Sequence, residues 1–236
     1  MKFYIFFSIL GLLLSGNTLA DFGLISDKDG YVNLREEMSL KSKIVEKIIN
    51  NEVVSCILEE ENSKFCYTNL SNGKQGYIYK NRVNFFKGYS KISLSKVMSN
   101  FIIFKGDNLE IKIFYKELKV DKKELEKIGD KYYLGEEAIW GIDNIMPNNN
   151  YFQLSEIEIV FNGKVIIISS ENLKGYLFPK KQLNNKNELS YFNIYLKGDE
   201  LYLINQFNSG GAAAYNIYFY IKDYKLLRNK AWLEEI

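Results

Sequence analysis

The sequence predicts an all-β protein, with a small barrel followed by a larger antiparallel sheet or sandwich domain and at most short helices. Short stretches alternate between apolar and polar residues with the period of two that half-buried strands require. The pairs Asn72-Gly73 and Asn162-Gly163 predict hairpin turns, because both residue types accept a positive φ. Helical spacing of apolar residues is confined to residues 120–128, where Asp121 is a possible N-cap of a short helix.

Residues 1–20 have the layout of a secretory signal peptide. Lys2 precedes an apolar run at residues 3–14, and the small residues Thr18 and Ala20 stand before a predicted cut ahead of Asp21. The alternative is an uncleaved N-terminal anchor. No later run approaches the ~20 apolar residues of a membrane span. We therefore expect an exported protein, periplasmic or secreted, with no stable membrane insertion after cleavage.

Residues 21–86 are predicted to form the small barrel. Turn residues separate five short strands, and this number of strands in so short a stretch is typical of a barrel. The predicted strands are residues 30–34, 44–49, 53–58, 65–70 and 76–79.

Both cysteines of the chain lie in this module. Cys56 and Cys66 fall on neighbouring predicted strands, and antiparallel pairing about Glu61 would place them opposite each other. An oxidising compartment then favours a disulfide, which for so short a loop contributes about 2–3 kcal/mol. The alternative is a pair of reduced thiols that fill core volume.

Residues 87–97 lack a strong period and are predicted to connect the two domains. Residues 98–236 return to a β pattern, with some eight strands in hairpins that indicate an antiparallel sheet or sandwich. Residues 153–161 alternate with one slip in register before the turn at Asn162-Gly163. The other predicted strands are residues 101–105, 109–115, 164–169, 188–196, 200–205, 215–221 and 225–229.

Charge and residue content argue against several classes of function. The chain has 31 basic and 29 acidic residues that are interspersed, so no basic patch predicts nucleic acid or an anionic membrane as a partner. It has no histidine, which excludes Ser-His-Asp and Cys-His catalysis and histidine-ligated metal sites. Two cysteines do not make a usual zinc site. We expect neither an enzyme nor a cofactor. If the protein were an enzyme of the kind that uses two carboxylates, as in glycoside hydrolysis, the candidates would be Glu136, Glu137 and Asp143 near Trp140.

Three segments of the first module resemble a bacterial SH3 (SH3b) domain in order and spacing. They are residues 29–35 (DGYVNLR), 42–45 (SKIV) and 65–78 (FCYTNLSNGKQGYI). Two positions depart from the usual pattern: Met38 stands where a proline is common, and Phe65 stands where a tryptophan usually begins the fourth strand. Both keep an apolar group, but Phe65 lacks the indole N–H that could serve a ligand.

The resemblance implies an SH3-like barrel that binds a ligand rather than a catalytic domain. Such domains in exported bacterial proteins are associated with cell-wall (peptidoglycan) peptides or other envelope ligands. The residues to test are Tyr31, Tyr67, Tyr77 and Tyr79, because tyrosine offers a flat apolar face and a hydroxyl. The alternative is that some of these rings cap the barrel core.

Arg35 is the charged candidate in the same module. An arginine can hold a ligand carboxylate with two parallel hydrogen bonds. The alternative is an ion pair with a local acid, which here means Glu36, Glu37 or Asp29.

The second region is similar to a domain of unknown function in exported bacterial proteins. The similarity rests on residues 139–143 (IWGID) before Pro147, on 162–164 (NGK), and on 208–212 (NSGGA) before Tyr215. It implies no known activity.

Within this region, Ser209, Gly210 and Gly211 would let a partner backbone approach closely, or would instead accommodate a tight sheet bend. Trp140 is a candidate anchor for a protein partner, with a core tryptophan as the alternative. The expected partner is thus a cell-wall peptide or an envelope protein. The second hypothesis is an inhibitor or immunity-type protein that binds an envelope-directed enzyme through the C-terminal domain.

Overall fold

The computed structural model describes residues 21–58, 62–129, 131–142, 150–179, 189, 192–207 and 213–233. In these ranges the chain folds into antiparallel sheets joined by single-turn 3-10 helices, so the predicted all-β class is confirmed. The predicted signal peptide lies outside the described residues.

The N-terminal module, residues 21–86, contains seven strands. They are β1 Asp21–Ile25, β2 Tyr31–Arg35, β3 Ile44–Ile49, β4 Val53–Cys56, β5 Phe65–Asn69, β6 Gln75–Tyr79 and β7 Val83–Asn84, with the 3-10 turn η1 Lys80–Arg82 before β7.

The C-terminal region contains the other strands described. They are β8 Ser90–Val97, β9 Phe101–Gly106, β10 Leu109–Lys119, β11 Leu125–Ile128, β12 Lys131–Leu134, β13 Glu137–Ile139, β14 Asn150–Phe161, β15 Lys164–Ile168, β16 Leu177–Pro179, β17 Asn193–Lys197, β18 Glu200–Phe207, β19 Tyr215–Lys222 and β20 Lys225–Leu233, with the 3-10 turns η2 Lys122–Glu124 and η3 Ser170–Asn172.

Two sheets of the N-terminal module enclose its core. One has the order β4-β1-β7 and the other the order β3-β2-β6-β5. On β2 the side chains of Val32 and Leu34 are buried, whereas Tyr31, Asn33 and Arg35 on the opposite face are half-buried. This alternation is the predicted one, and it directs one face of β2 to the core and the other outward.

A disulfide joins Cys56 on β4 to Cys66 on β5, and their Cα atoms are 5.2 Å apart. The predicted register is wrong by two residues: the bridge pairs Tyr67 with Ile57, whereas pairing about Glu61 would set Tyr67 opposite Ser55. The hydrogen-bonded partner of β4 is β1, and the described pairing with β5 is the single bridge at Ile57, just after β4 ends. Both cysteines still face the same core.

The β5–β6 hairpin turns at residues 70–74, as predicted, but with a different backbone. Gly73 has φ 80°, whereas Asn72 does not adopt a positive φ. The N–H of Gly73 donates to the carbonyl of Leu70 at 2.9 Å, which is the hydrogen bond of a four-residue turn. The expectation that both residues take positive φ is therefore wrong here, although it holds at Asn162 (φ 50°) and Gly163 (φ 77°).

One ten-stranded sheet dominates the C-terminal region. Its order is β15-β14-β10-β9-β8-β17-β18-β19-β20, with β16 paired to β14. The sheet curls around one core, because residues from both of its ends pack in the same buried cluster. Tyr224, in the turn between β19 and β20, lies 5.8 Å ring to ring from Phe161 on β14. The two ends of the sheet thus meet in a nearly closed barrel.

The predicted slip in residues 153–161 is a break in the pairing of β14 with β10. Phe114 faces Glu156 and the next residue, Tyr115, faces Leu154, so Ser155 has no opposite residue. Such an extra residue is a β-bulge, which bends the strand.

Two sequence expectations need correction. Within residues 87–97, predicted as a connection, residues 90–97 form β8 and pair with both β9 and β17. The strand lacks a visible period because only Ile92 of its residues is buried. Residues 120–128 do not form the predicted helix: Leu125 and Ile128 lie on β11, which pairs with β12, and the charged stretch before it makes one 3-10 turn.

A third buried cluster joins the N-terminal module to the outer face of the ten-stranded sheet. It contains Leu24, Val53 and Phe86 from the module and Tyr202 and Tyr218 from the sheet. Aromatic rings supply most of its surface, so the contact resembles a domain core rather than a flexible linker.

Candidate functional site

The predicted tyrosines lie on the outer face of the four-stranded sheet. Tyr67 on β5 faces Tyr77 on β6, and the rings meet edge to face with their centroids 5.3 Å apart. Phe65 and Tyr79 form a second edge-to-face pair with the same separation. All four side chains are half-buried. We call these four residues and Arg35 the aromatic face.

Arg35 extends this face across a third strand. Its Cα partner on β6 is Tyr77, so Arg35, Tyr77 and Tyr67 form one row across β2, β6 and β5. Its Nη1 donates to the carbonyl of Ser42 at 2.7 Å. The expected alternative of an ion pair with a local acid is not what the structure contains, since the nearby Glu36 pairs with Lys43 instead. A guanidinium has five N–H donors, so a ligand acceptor can still bind.

Gly76 brings these strands close together. A Cβ at Gly76 would collide with the carbonyl oxygen of Arg35, so a residue with a side chain cannot occupy this position without moving β2 from β6. The absence of a side chain at Gly76 therefore allows the close approach that aligns Arg35 with Tyr77.

Tyr31 shares the outward side of β2 but not the row. It lies four positions before Arg35, which is about 13 Å along a strand. The ammonium of Lys47 lies 4.2 Å from its ring centroid. Tyr31 therefore lies at the end of the sheet away from the aromatic face.

A second concave region lies between the N-terminal module and the C-terminal region. Two adjoining lobes of about 280 and 340 Å³ share lining residues 69–72 and Trp232. Trp140 and Lys131 line the larger lobe. We call the two lobes together the junction cleft. Both tryptophans of the chain thus border one cleft.

Trp140 lies at this cleft in a half-buried position. Its ring is tilted against Tyr215, with 6.1 Å between centroids, and the ammonium of Lys131 lies 5.2 Å from its centroid. It packs against the large core on one side. Trp140 therefore fits both alternatives predicted from sequence, because one side of it packs against the core and another side borders the cleft. Ser209, Gly210 and Gly211 lie outside the described residues.

Charges near the cleft are held in local pairs. Glu46 accepts from the Asn72 side-chain amide at 2.8 Å and lies 3.0 Å from Lys74 Nζ. The Asn72 hydrogen bond first, and the Lys74 hydrogen bond second, lower the pKa of Glu46 below its usual value. Glu52 accepts from Tyr218, Arg228 and Lys230. These acids fix the turn and the joint between modules.

Of the three carboxylates considered for catalysis, Glu136 and Glu137 lie in the described residues, and both are exposed. Glu137 is an exposed residue 3.3 Å from Lys174, and Asp143 lies outside the described ranges. Among the described side chains, no group of three potential metal ligands comes together. In the same part of the chain, no helix combines the length and hydrophobicity needed to cross a bilayer.

Sequence reasoning missed Trp232 and Lys230 because the last strand was predicted to end at Asn229. β20 instead continues to Leu233. The signal was present: Ala231, Trp232 and Leu233 are an apolar run that extends the strand. The contact of Lys230 with Glu52 could not be predicted from neighbouring residues, because the two residues are 178 positions apart in the sequence.

Comparisons of the chain with protein-family models, with curated proteins and with solved structures find no match.

Proposed function

We propose that this protein is an exported, non-enzymatic binding protein whose N-terminal module holds a cell-wall (peptidoglycan) peptide or a similar envelope peptide on the aromatic face. The observation that carries the proposal is the row of Arg35, Tyr77 and Tyr67 across three neighbouring strands. The resemblance of residues 29–35, 42–45 and 65–78 to SH3b domains supports the same ligand class.

The row suits an extended peptide that carries a free carboxylate. Half-buried aromatic rings offer apolar surface with hydroxyl groups at the edge, so they can pack against short side chains and also bond to peptide groups. Arg35, next in the row, has guanidinium donors for the carboxylate. Its bond to Ser42 fixes the side chain before the ligand arrives.

The disulfide between Cys56 and Cys66 fits an exported protein, because disulfides persist in oxidising compartments. It joins the strand of Tyr67 to β4, and thereby restrains one side of the aromatic face. A chain without histidine also lacks the commonest general base, which favours binding over catalysis.

Retention of the protein on purified cell wall tests the proposal. We expect the native protein to be retained and the double variant Tyr67→Ala with Tyr77→Ala to be lost from the pellet. Tyr31→Ala is the matched control, because Tyr31 is a half-buried tyrosine on the same sheet but outside the row. Equal retention of the native protein and the double variant would refute the proposal.

A further inference from the structure

The row that crosses the aromatic face continues onto a fourth strand. Ile44, at the start of β3, is the Cα partner of Arg35 on β2. The full row therefore contains Ile44, Arg35, Tyr77 and Tyr67, on β3, β2, β6 and β5. Neighbouring strands lie about 4.8 Å apart, so the row spans about 14 Å, which is the length of about four residues of an extended peptide.

A β-bulge places Ile44 in this row. Leu34 faces Glu46 and the next residue, Arg35, faces Ile44, so Val45 has no opposite residue. In unbroken pairing Arg35 would face Val45, and Ile44 would fall on the other side of the sheet. The bulge instead lets Val45 pack against the buried core of the module and leaves Ile44 on the outward side. Bulges often re-aim a side chain in this way next to functional sites.

The position of Ile44 matters more than its exposure. The exposed fraction of the residue is 46%, and a single exposed apolar residue is common on protein surfaces. Here, however, the guanidinium of Arg35 extends towards the same strand, because its Nη1 donates to the carbonyl of Ser42, two residues before Ile44. A carboxylate held by Arg35 would therefore bring the adjoining side chain of the ligand within reach of Ile44.

The order of groups along the row determines which carboxylate of a peptide fits. Arg35 carries the one charge of the row, with two tyrosines on one side of it and Ile44 on the other. Since β3 is the edge of its sheet, the row ends at Ile44. A C-terminal carboxylate on Arg35 lets the preceding residues of the peptide run over the tyrosines. The side chain of the last residue then faces Ile44.

We infer that Ile44 is a specificity-determining residue of the peptide site, which selects peptides whose C-terminal residue has an apolar side chain. This inference rests on the proposed function, because it requires a peptide carboxylate on Arg35. It adds a preference for the last residue of the ligand.

NMR titration of the full protein with acetylated tetrapeptides tests this preference. Acetyl-Ala-Ala-Ala-Val and acetyl-Ala-Ala-Ala-Thr end in side chains of nearly equal shape, but one is apolar and the other carries a hydroxyl group. We expect the native protein to bind the valine peptide about fourfold more tightly, the effect of burying one more methyl group. The C-terminal amide of the valine peptide lacks the carboxylate and should bind more weakly than the acid.

Ile44→Thr should remove the preference for valine, because it replaces apolar surface beside Arg35 with a hydroxyl group. Ile49→Thr is the matched control. Ile49 is also an exposed isoleucine of β3, with an exposed fraction of 59%, but its Cα partner is Tyr31, outside the row. This variant should keep the native preference. Both substitutions retain a β-branched side chain, which suits a strand.

The outcomes separate this inference from the proposed function. Equal affinity of the native protein for the two acids, or an unchanged preference in Ile44→Thr, would overturn the inference and leave the peptide site in place. Loss of the preference in Ile49→Thr would also overturn it, since the effect would not belong to the row. An amide that binds as tightly as the acid would have the same consequence. If no peptide produces a saturable change, the proposed peptide site is wrong and this inference fails with it.

Discussion

Glu52 and Lys230 lie 2.6 Å apart, carboxylate to ammonium, although 178 residues separate them. The same carboxylate accepts from Arg228 at 3.0 Å and from the hydroxyl of Tyr218 at 3.1 Å. Only 12% of its side chain is exposed. One acid, immediately before β4, therefore fixes the N-terminal module on β19 and β20.

Replacement of Glu52 with glutamine should loosen this joint. Arg228 and Lys230 would then face each other without an anion, and loss of one partner from a buried charge network typically costs about 3 kcal/mol. Urea denaturation should show this loss in the free energy of unfolding. Glu36→Gln is the control, because Glu36 lies 3.8 Å from Lys43 on the surface and its loss should change stability by less than about 1 kcal/mol. Equal effects would contradict the role of Glu52.

Two glycines of the β5–β6 hairpin should respond differently to alanine. At Gly76 the new Cβ meets the carbonyl of Arg35, so we expect a loss of about 2–3 kcal/mol and weaker peptide binding. At Gly73, φ 80°, nothing lies near the new Cβ and only the conformational penalty of about 1–2 kcal/mol applies. Thermal denaturation of both variants measures the difference. A smaller effect at Gly76 than at Gly73 would show that β2 and β6 tolerate separation.

The disulfide should stabilise the N-terminal module. The double variant Cys56→Ser with Cys66→Ser should lose about 2–3 kcal/mol of unfolding free energy, the range for a bond that closes a short loop. The native protein in excess dithiothreitol should show the same loss. If both samples unfold at the same denaturant concentration as the oxidised protein, the bond contributes nothing measurable to stability.

Acidification should weaken the turn that Glu46 holds. Because the pKa of Glu46 is lowered in the folded protein, its contribution to stability is present above the usual glutamate pKa and is lost as pH falls through the lowered value. We expect the side-chain amide signal of Asn72, followed by NMR, to move in that acidic range. Glu46→Gln should remove the movement. A pH-independent Asn72 signal in the native protein would contradict the contact.

Local patterns in the sequence predicted much of the fold. The alternation in residues 31–35, the bulge near Ser155 and the positive φ at Asn162 and Gly163 all follow from short-range rules. β8 was missed because it buries one residue and therefore lacks a period. The helix expected at residues 120–128 failed because pairing with β12 outweighs weak helical spacing.

The candidate sites were predictable to different degrees. The pairing of Tyr67 with Tyr77 could be predicted because they lie on the two strands of one hairpin. Tyr31 was grouped with them although it lies outside the row, and the place of Arg35 beside Tyr77 depends on the pairing of β2 with the distant strand β6.

The junction cleft could not be predicted, because it depends on how Trp140, Trp232 and the turn at Asn72 come together from distant parts of the chain. Such contacts have no signature in a local window of residues.

The most direct test of the central claim is an NMR titration of the full protein with a soluble peptidoglycan stem peptide that has a free carboxylate. The aromatic face predicts the largest shift changes at Arg35, Tyr67 and Tyr77, and their absence in the double variant Tyr67→Ala with Tyr77→Ala. Tyr31 and the indole signals of Trp140 and Trp232 should move little. Saturable changes confined to the junction cleft, or no saturable change, would contradict the assignment of peptide binding to the aromatic face.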